Sequence, residues 1–429
     1  MNFIKKIFSP IILIISIFLL VYIFFKSEIY SNESNKTYYL KYYIIVLTLI
    51  FFSIVSFFIN QKIKEYIIIS FISILISLYL LEGYLTYYKP FLKRQVYEKK
   101  FQKNWDKRSK LEVYYDFKKS KNNATLAVLP KYFLDKNYKI FPLSGVSESE
   151  TILCNEDGFF STYQSDRYGF NNPDTEWNNE KIEYILIGDS FTHGYCVNRP
   201  NDIGSVLRTL SNKSVLNLGQ GGNGPLTEYA TLREYLDKRQ KKVIWIYYEE
   251  NDLRDLENEM KNKFLNEYLN NLDFTQNLKS KQNEIDNIAK NLMKKDIIKK
   301  KNYFLNIINF LKIKKTRILY FSAVPNKPEP SLEFKKIVQL TNELVKKNNS
   351  KLFFVYLPEY NRYATPYNNK NYNLIKNIIN ELNIHFIDIP KLVFEKETNQ
   401  SNLFSLELVH YNAEGYKKVA ETIYRYSQD

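Results

Sequence analysis

Three long apolar runs within the first ninety residues constrain this chain more than any other feature. Residues 7–25, 42–61 and 66–88 are built mainly from Ile, Leu, Phe, Val and Tyr, and Glu82 is the single charge within them. About 20 apolar residues, rising ~1.5 Å each, cross a hydrocarbon core of roughly 30 Å, so each run is long enough for a membrane-spanning helix. Tyrosines sit at several of the ends, where amphipathic rings favour the interface. The first run follows Lys5 and Lys6 as a signal peptide would. It is nevertheless longer than the usual apolar segment of a signal, has no small-residue cleavage site, and is followed by two further runs. A set of buried core helices would show polar faces, and these do not. The expectation is a multi-pass anchor over 1–90, with the lipid bilayer as partner.

The charges flanking these runs give two signals about orientation. Lys5 and Lys6 before the first run, and Lys62 and Lys64 between the second and third, favour a cytoplasmic N-terminus. An odd number of spans then places the rest of the chain outside the cytoplasm. Nine Lys and Arg residues within 89–110 argue the other way. Long domains translocate largely regardless of charge and the first helix usually dominates, so the outward orientation is expected.

Beyond residue 90 the composition turns to Lys, Asn and Glu. The formal net charge of +15 raises the question of nucleic acid, but the lysines are spread along the chain and no zinc-finger, RRM or KH signature is present. No nucleic-acid partner is expected, and a phosphate-rich membrane surface suits the basic residues better. The three histidines, His193, His385 and His410, have no metal-ligand spacing, and the two cysteines, Cys154 and Cys196, form no C-x-x-C. No metal and no cofactor are implied. In an oxidising compartment Cys154 and Cys196 would pair; in the cytoplasm they would remain buried thiols.

Residues 91–150, basic and aromatic without clear periodicity, read as a stem or linker. From 151 to 429 short apolar strands alternate with helical stretches, the pattern of a parallel sheet covered on both faces. Strands are expected over 184–188, 215–218, 243–248, 352–357 and 385–389. Helices are expected near 201–211, 225–239, 331–348, 370–382 and 413–426, with 318–323 ambiguous between the two. The fold class is therefore an α/β three-layer sandwich with a five-stranded, mainly parallel sheet, preceded by three transmembrane helices. The charged segment 253–315, with Leu253, Leu256, Met260 and Phe264 at helical spacing, reads as a helical insertion. Following Asn251 directly, it is expected to emerge beside the active site as a lid or recognition surface.

The first expected strand ends in Gly188-Asp189-Ser190, placing a serine where a parallel strand turns into a helix. After the second comes Asn217-Leu-Gly219-Gln-Gly221-Gly222-Asn223-Gly224, a glycine-rich turn that lets backbone N–H groups approach a substrate. Glu249-Glu250-Asn251-Asp252 follows the third strand, and Glu407-Leu-Val-His410 precedes the last helix. All four can converge on one edge of the sheet. In this order they resemble the SGNH/GDSL hydrolase superfamily, whose sheet is flavodoxin-like, over roughly 155–429. The resemblance implies Ser190 as nucleophile, His410 as base and Glu407 as the acid orienting it. It implies an oxyanion hole from the Ser190 and Gly222 backbone with the Asn251 side chain. Two positions depart from the pattern: Glu407 stands where Asp is usual, and Glu250 where Gly is usual. A glutamate can orient an imidazole as an aspartate does.

His193, Asn223 and Arg362 are candidate substrate contacts. Asp189 is expected to order the nucleophile turn, Asp252 to cap the next helix, and His385 to be structural. The segment 166–174 also looks like bacterial members of the superfamily, often associated with cell-surface polysaccharides, and the anchor is expected in a bacterial inner membrane. The expected activity is a serine esterase or acyltransferase acting on O-acyl, typically acetyl, groups of an envelope glycan through an acyl-Ser190 intermediate. A lipid esterase is the alternative substrate reading, and a non-catalytic glycan-binding or assembly module the alternative class.

Overall fold

The computed structural model of the chain describes every residue except 1, 31–35, 301–302, 324–326 and 429. It divides into two compact units, one of Met1–Lys89 with Ile308–Tyr320, the other of Pro90–Ile307 with Phe321–Asp429.

In the first unit the helices α1 (Asn2–Phe24), α2 (Lys36–Ser56) and α3 (Gln61–Gly83) form from the three apolar runs. The apolar, span-length stretches are Ile7–Ile29, Tyr39–Ser56 and Gln61–Phe101. The third continues past the expected residue 88 to Phe101, through a π-helical turn at Tyr84–Tyr88 just ahead of Pro90. Their outward surface is apolar, with Phe18 71% and Leu80 70% exposed, and each helix is long and apolar enough to cross a membrane.

The second unit carries two sheets. A small one joins β1 (Thr125–Leu126), β2 (Glu150–Ile152) and β3 (Thr162–Gln164), with β1 parallel and β3 antiparallel to β2. The large one contains β4 (Ile182–Gly188), β5 (Val215–Asn217), β6 (Gln240–Tyr248), β7 (Lys351–Leu357) and β8 (His385–Asp388), all parallel, in the order β5-β4-β6-β7-β8. The expected strands and helices form with shifts of a few residues at their ends, and the ambiguous stretch at 318–323 belongs to a helix, Lys314–Ala323.

Helices cover both faces, so the strands are apolar on both. Ile185, Ile187, Val243 and Trp245 enter the core on one side, and Tyr184, Leu186, Ile244 and Ile246 the core on the other. The strand order reverses between β4 and β6. At that point the loops leaving neighbouring strands diverge and open a crevice at their carboxyl ends.

Two regions differ from the sequence expectation. Residues 91–150 are not a linker: Val113, Phe133 and Leu143 are completely buried in the main core. They form two helices, Lys89–Phe101 and Lys110–Ser120, followed by irregular segments packed into the core rather than a free stem. The insertion after Asn251 is not a lid either. Leu265, Tyr268, Ile285 and Ala289 are core residues, and among its described residues no side chain borders the cavity at Ser190.

Candidate active site

β4 ends at Gly188, and the chain turns at once into the short helix Ser190–His193. Asp189 accepts the Phe191 N–H at 2.9 Å and lies 3.2 Å from Ser190 Oγ, so it fixes the turn. Burial pushes the Asp189 carboxyl above its usual range. The glycine-rich loop after β5 packs onto this helix. A Cβ at Gly219 would lie 2.5 Å from Thr192 Cβ, so only glycine allows the approach. Gly222 has φ +72°, the left-handed region, and a Cβ there would collide with the Lys131 side chain.

Ser190 Oγ lies 2.9 Å from His410 Nε2, and His410 Nδ1 lies 2.7 Å from Glu156 Oε1. Glu156 also accepts from Ser405 Oγ at 2.7 Å and the His410 N–H at 3.3 Å. Burial alone would raise this carboxyl, but the hydrogen bonds from His410 and Ser405 outweigh it and hold Glu156 below the usual glutamate range. The buried His410 has its ring near those of Phe191 and Tyr195, at centroid distances of 5.0 and 5.1 Å.

Glu407, the expected acid, does not reach His410. The 405–410 turn closes on itself through Ser405 N–H to His410 O and Leu408 N–H to Ser405 O, with Leu408 left-handed at φ 57°. That geometry leaves the Glu407 side chain at the tip, 38% exposed and paired with Lys93. The carboxylate beside His410 comes instead from 254 residues upstream.

Cys154 is joined to Cys196, with their Cα atoms 5.2 Å apart. The bond ties the strand-end segment bearing Glu156 to the loop following Ser190. Cys196 Sγ lies within 4.8 Å of the ligand atoms of Glu156 and His410. Bonded to Cys154, that sulfur is no thiolate donor, and the remaining pair is already hydrogen-bonded to each other.

Asn251 follows β6 across the crevice and lines, with Ser190 and His410, a cavity of about 310 Å³. One Nδ2 hydrogen goes to Asp255 Oδ2 at 2.7 Å, which leaves the second for another acceptor. Burial pushes the Asp255 carboxyl up to about 7. One helical turn on, Glu259 accepts the N–H groups of Gly224, Leu226 and Thr227 at 2.6, 3.0 and 3.3 Å, capping the helix that follows the glycine-rich loop. The first helix of the insertion therefore positions both Asn251 and the loop bearing Gly222. Asp252 does not cap that helix; its carboxylate accepts the Tyr248 N–H at 2.8 Å and closes the turn after β6.

The candidate substrate contacts lie elsewhere. His193 is completely buried, with Nε2 3.0 Å from the Tyr163 hydroxyl and Nδ1 accepting the Gly221 N–H at 3.3 Å. It holds the glycine-rich loop from behind, and burial pulls its pKa down to about 3. Asn223 is 1% exposed and does not border the cavity. Arg362 is spent on Glu249, with Nε 2.9 Å from Oε1, and stacks near Tyr367 and Tyr372. The cavity wall instead carries Glu250, the position already noted as departing from the family pattern, with Glu359, Tyr360 and Asn361, which the sequence did not single out.

A serine hydroxyl, an imidazole and a carboxylate in series can activate the serine for attack on an acyl carbon. A solved structure from Desulfitobacterium hafniense DCB-2, provisionally described as a lipolytic protein of the G-D-S-L family, is 18% identical to this chain. The match covers 58% of this chain and 99% of that one, with a TM-score of 0.32. No curated protein matches the sequence. Residues 184–423, more than half of the chain, match the model of the GDSL-like lipase/acylhydrolase family. With that match, and with a base-linked serine at the end of the first strand of its parallel sheet, the chain belongs to the GDSL-like lipase/acylhydrolase family and is a serine ester hydrolase.

Proposed function

We propose that this protein is a membrane-anchored esterase or acyltransferase that acts on O-acyl, most simply O-acetyl, groups of an envelope glycan, with its catalytic domain outside the cytoplasm. The observation that carries the reading is the Ser190–His410–Glu156 chain at the edge of a small cavity. His410 Nε2 takes the proton from Ser190 Oγ as that oxygen attacks the acyl carbon. The N–H groups of Ser190 and Gly222 and the free Nδ2 hydrogen of Asn251 receive the oxyanion. Collapse breaks the ester bond, the leaving alcohol takes the proton from His410, and the acyl group stays on Ser190. Water, or a second sugar hydroxyl, then attacks the acyl-serine with His410 again as base. Glu156 holds the imidazole in the required tautomer throughout.

The cavity sets Glu250 and Asn361 beside Phe191, Leu408 and Val409, and at about 310 Å³ it suits a short acyl group on a hydroxyl-rich alcohol better than a long acyl chain, which favours the glycan over a lipid. A fluorophosphonate probe should label Ser190, and the purified enzyme should release acetate from acetylated envelope glycans. A protein that stays unlabelled would be a binding module, and release of fatty acid but not acetate would make it a lipid esterase.

Two further outcomes are expected. Asn251→Ala should lower kcat by about 10²–10³ with little change in KM, because the donor meets charge mainly in the transition state. A rise in KM alone would reassign Asn251 to substrate binding. Replacing both Cys154 and Cys196 with Ser should destabilise the domain by about 3–4 kcal/mol, the chain-entropy value for closing a loop of roughly 40 residues. Chemical denaturation of both proteins reads this difference. Rapid alkylation of the two cysteines in the native protein made in cells would instead place the domain in a reducing compartment.

A further inference from the structure

Glu82 is the single charge in the third apolar run, and the ester chemistry makes no use of it. It is 1% exposed. Its carboxylate accepts Lys315 N–H at 3.0 Å, Thr316 N–H at 2.7 Å and Thr316 Oγ1 at 2.9 Å. These groups lie at the start of the helix Lys314–Ala323, within the short excursion Ile308–Tyr320 that belongs to the membrane unit. Nearby, the Tyr79 hydroxyl donates to Leu311 O at 3.0 Å, and the Phe310 ring lies 5.9 Å from Tyr79 and 6.2 Å from Tyr87. Leu311 is 59% and Ile318 53% exposed, while Lys312, Lys314, Lys315 and Arg317 cluster at the turn between two short helices.

From this arrangement we infer that residues 308–320 form a shallow helical hairpin seated in the headgroup-proximal layer of a lipid bilayer beside the third span. The occupant of its apolar surface is lipid, with acyl chains against Leu311 and Ile318 and anionic headgroups against the basic turn. Its helical residues 314–320 rise only about 10 Å, a third of a hydrocarbon core, so the segment cannot cross and stays within one leaflet. The Glu82 contacts fit such a medium. A glutamate within a span is costly unless partnered, and the open N–H groups of a helix start are costly where water is scarce. Each satisfies the other here. In water, neither would need a partner and the apolar surface would remain uncovered. Long basic side chains at the turn can reach the phosphate layer while their stems stay in the apolar zone.

The inference rests on the three long helices lying in a bilayer, so the test carries a control in the third of them. Leu311→Trp, Ile318→Trp and Leu75→Trp are made separately in the full chain and reconstituted into phosphatidylcholine vesicles with or without bromine on the acyl chains. The native tryptophans, Trp105, Trp177 and Trp245, all lie in the catalytic unit and supply the background. The emission added at positions 75, 311 and 318 is expected to be lost in brominated vesicles and to resist aqueous iodide. Quenching at 75 but not at 311 or 318 would overturn the hairpin while leaving the spans in place. No quenching at any of the three would overturn both. Retained hydrolysis of a small ester identifies folded variants, and if either hairpin tryptophan abolishes it, Ile308→Trp replaces that variant. Adding Glu82→Ala to Ile318→Trp should restore emission in brominated vesicles, and unchanged emission would remove the anchoring role from Glu82.

Discussion

Ser190→Ala and His410→Ala are each expected to bring hydrolysis of a small acetyl ester close to background, a loss on the order of 10⁶ in kcat where a serine and its base act as one unit. The reason is geometric. With Oγ 2.9 Å from Nε2, the proton leaves as the bond to the acyl carbon forms. Without the hydroxyl no acyl intermediate forms, and without the imidazole the hydroxyl stays a weak nucleophile. The double variant should then be scarcely slower than either single one, since each change already removes the joint step. Initial rates of the three variants decide the matter. Losses that multiply would mean that the two residues act independently and that the proposed chemistry is wrong.

Glu156→Gln should cost about 10⁴ in kcat, the scale seen when a triad acid becomes an amide, whereas Glu407→Gln should leave the rate nearly unchanged. A glutamine at 156 can offer N–H to His410 Nδ1. That favours the tautomer with its hydrogen on Nε2, which cannot accept the Ser190 proton. The loss should fall on kcat, with KM little affected, because the Glu156 side chain does not border the cavity. Glu407 gives up only a partly exposed pair with Lys93, the kind of contact worth about 0–1 kcal/mol. The opposite ranking of the two variants would restore Glu407 as the orienting acid.

The contrast between these two glutamates marks how far the sequence could be read. Local pattern placed the five strands, because runs such as 184–188 and 243–248 are apolar on both faces and leave no other burial. It also brought Ser190, Asn251 and His410 to one sheet edge, since each follows a strand or enters a helix. The acid escaped because its contact spans 254 residues and depends on how a strandless loop folds back. A clue was nonetheless present. Pairing Cys154 with Cys196 draws residue 156 toward the serine, and Glu156 stands two places past the first of those cysteines. His193 and Arg362 were misread for a related reason: proximity along the chain to Ser190 or to a strand end does not say which face a side chain takes. For Arg362, the decisive fact is the buried Glu249 beside it.

The placement of Glu156 also bears on timing during synthesis. The acid is made early, the nucleophile next, and the base only when residue 410 has been added. Any nascent or prematurely ended chain that stops between 156 and 410 therefore lacks a working base, however well its sheet has begun to form. A fragment beginning at residue 184, where the family match starts, carries the serine and the histidine but not the carboxylate that orients them. Ester turnover thus reports that both distant ends of the catalytic unit have been made and have met, and a cell would be spared stray hydrolysis by half-finished copies.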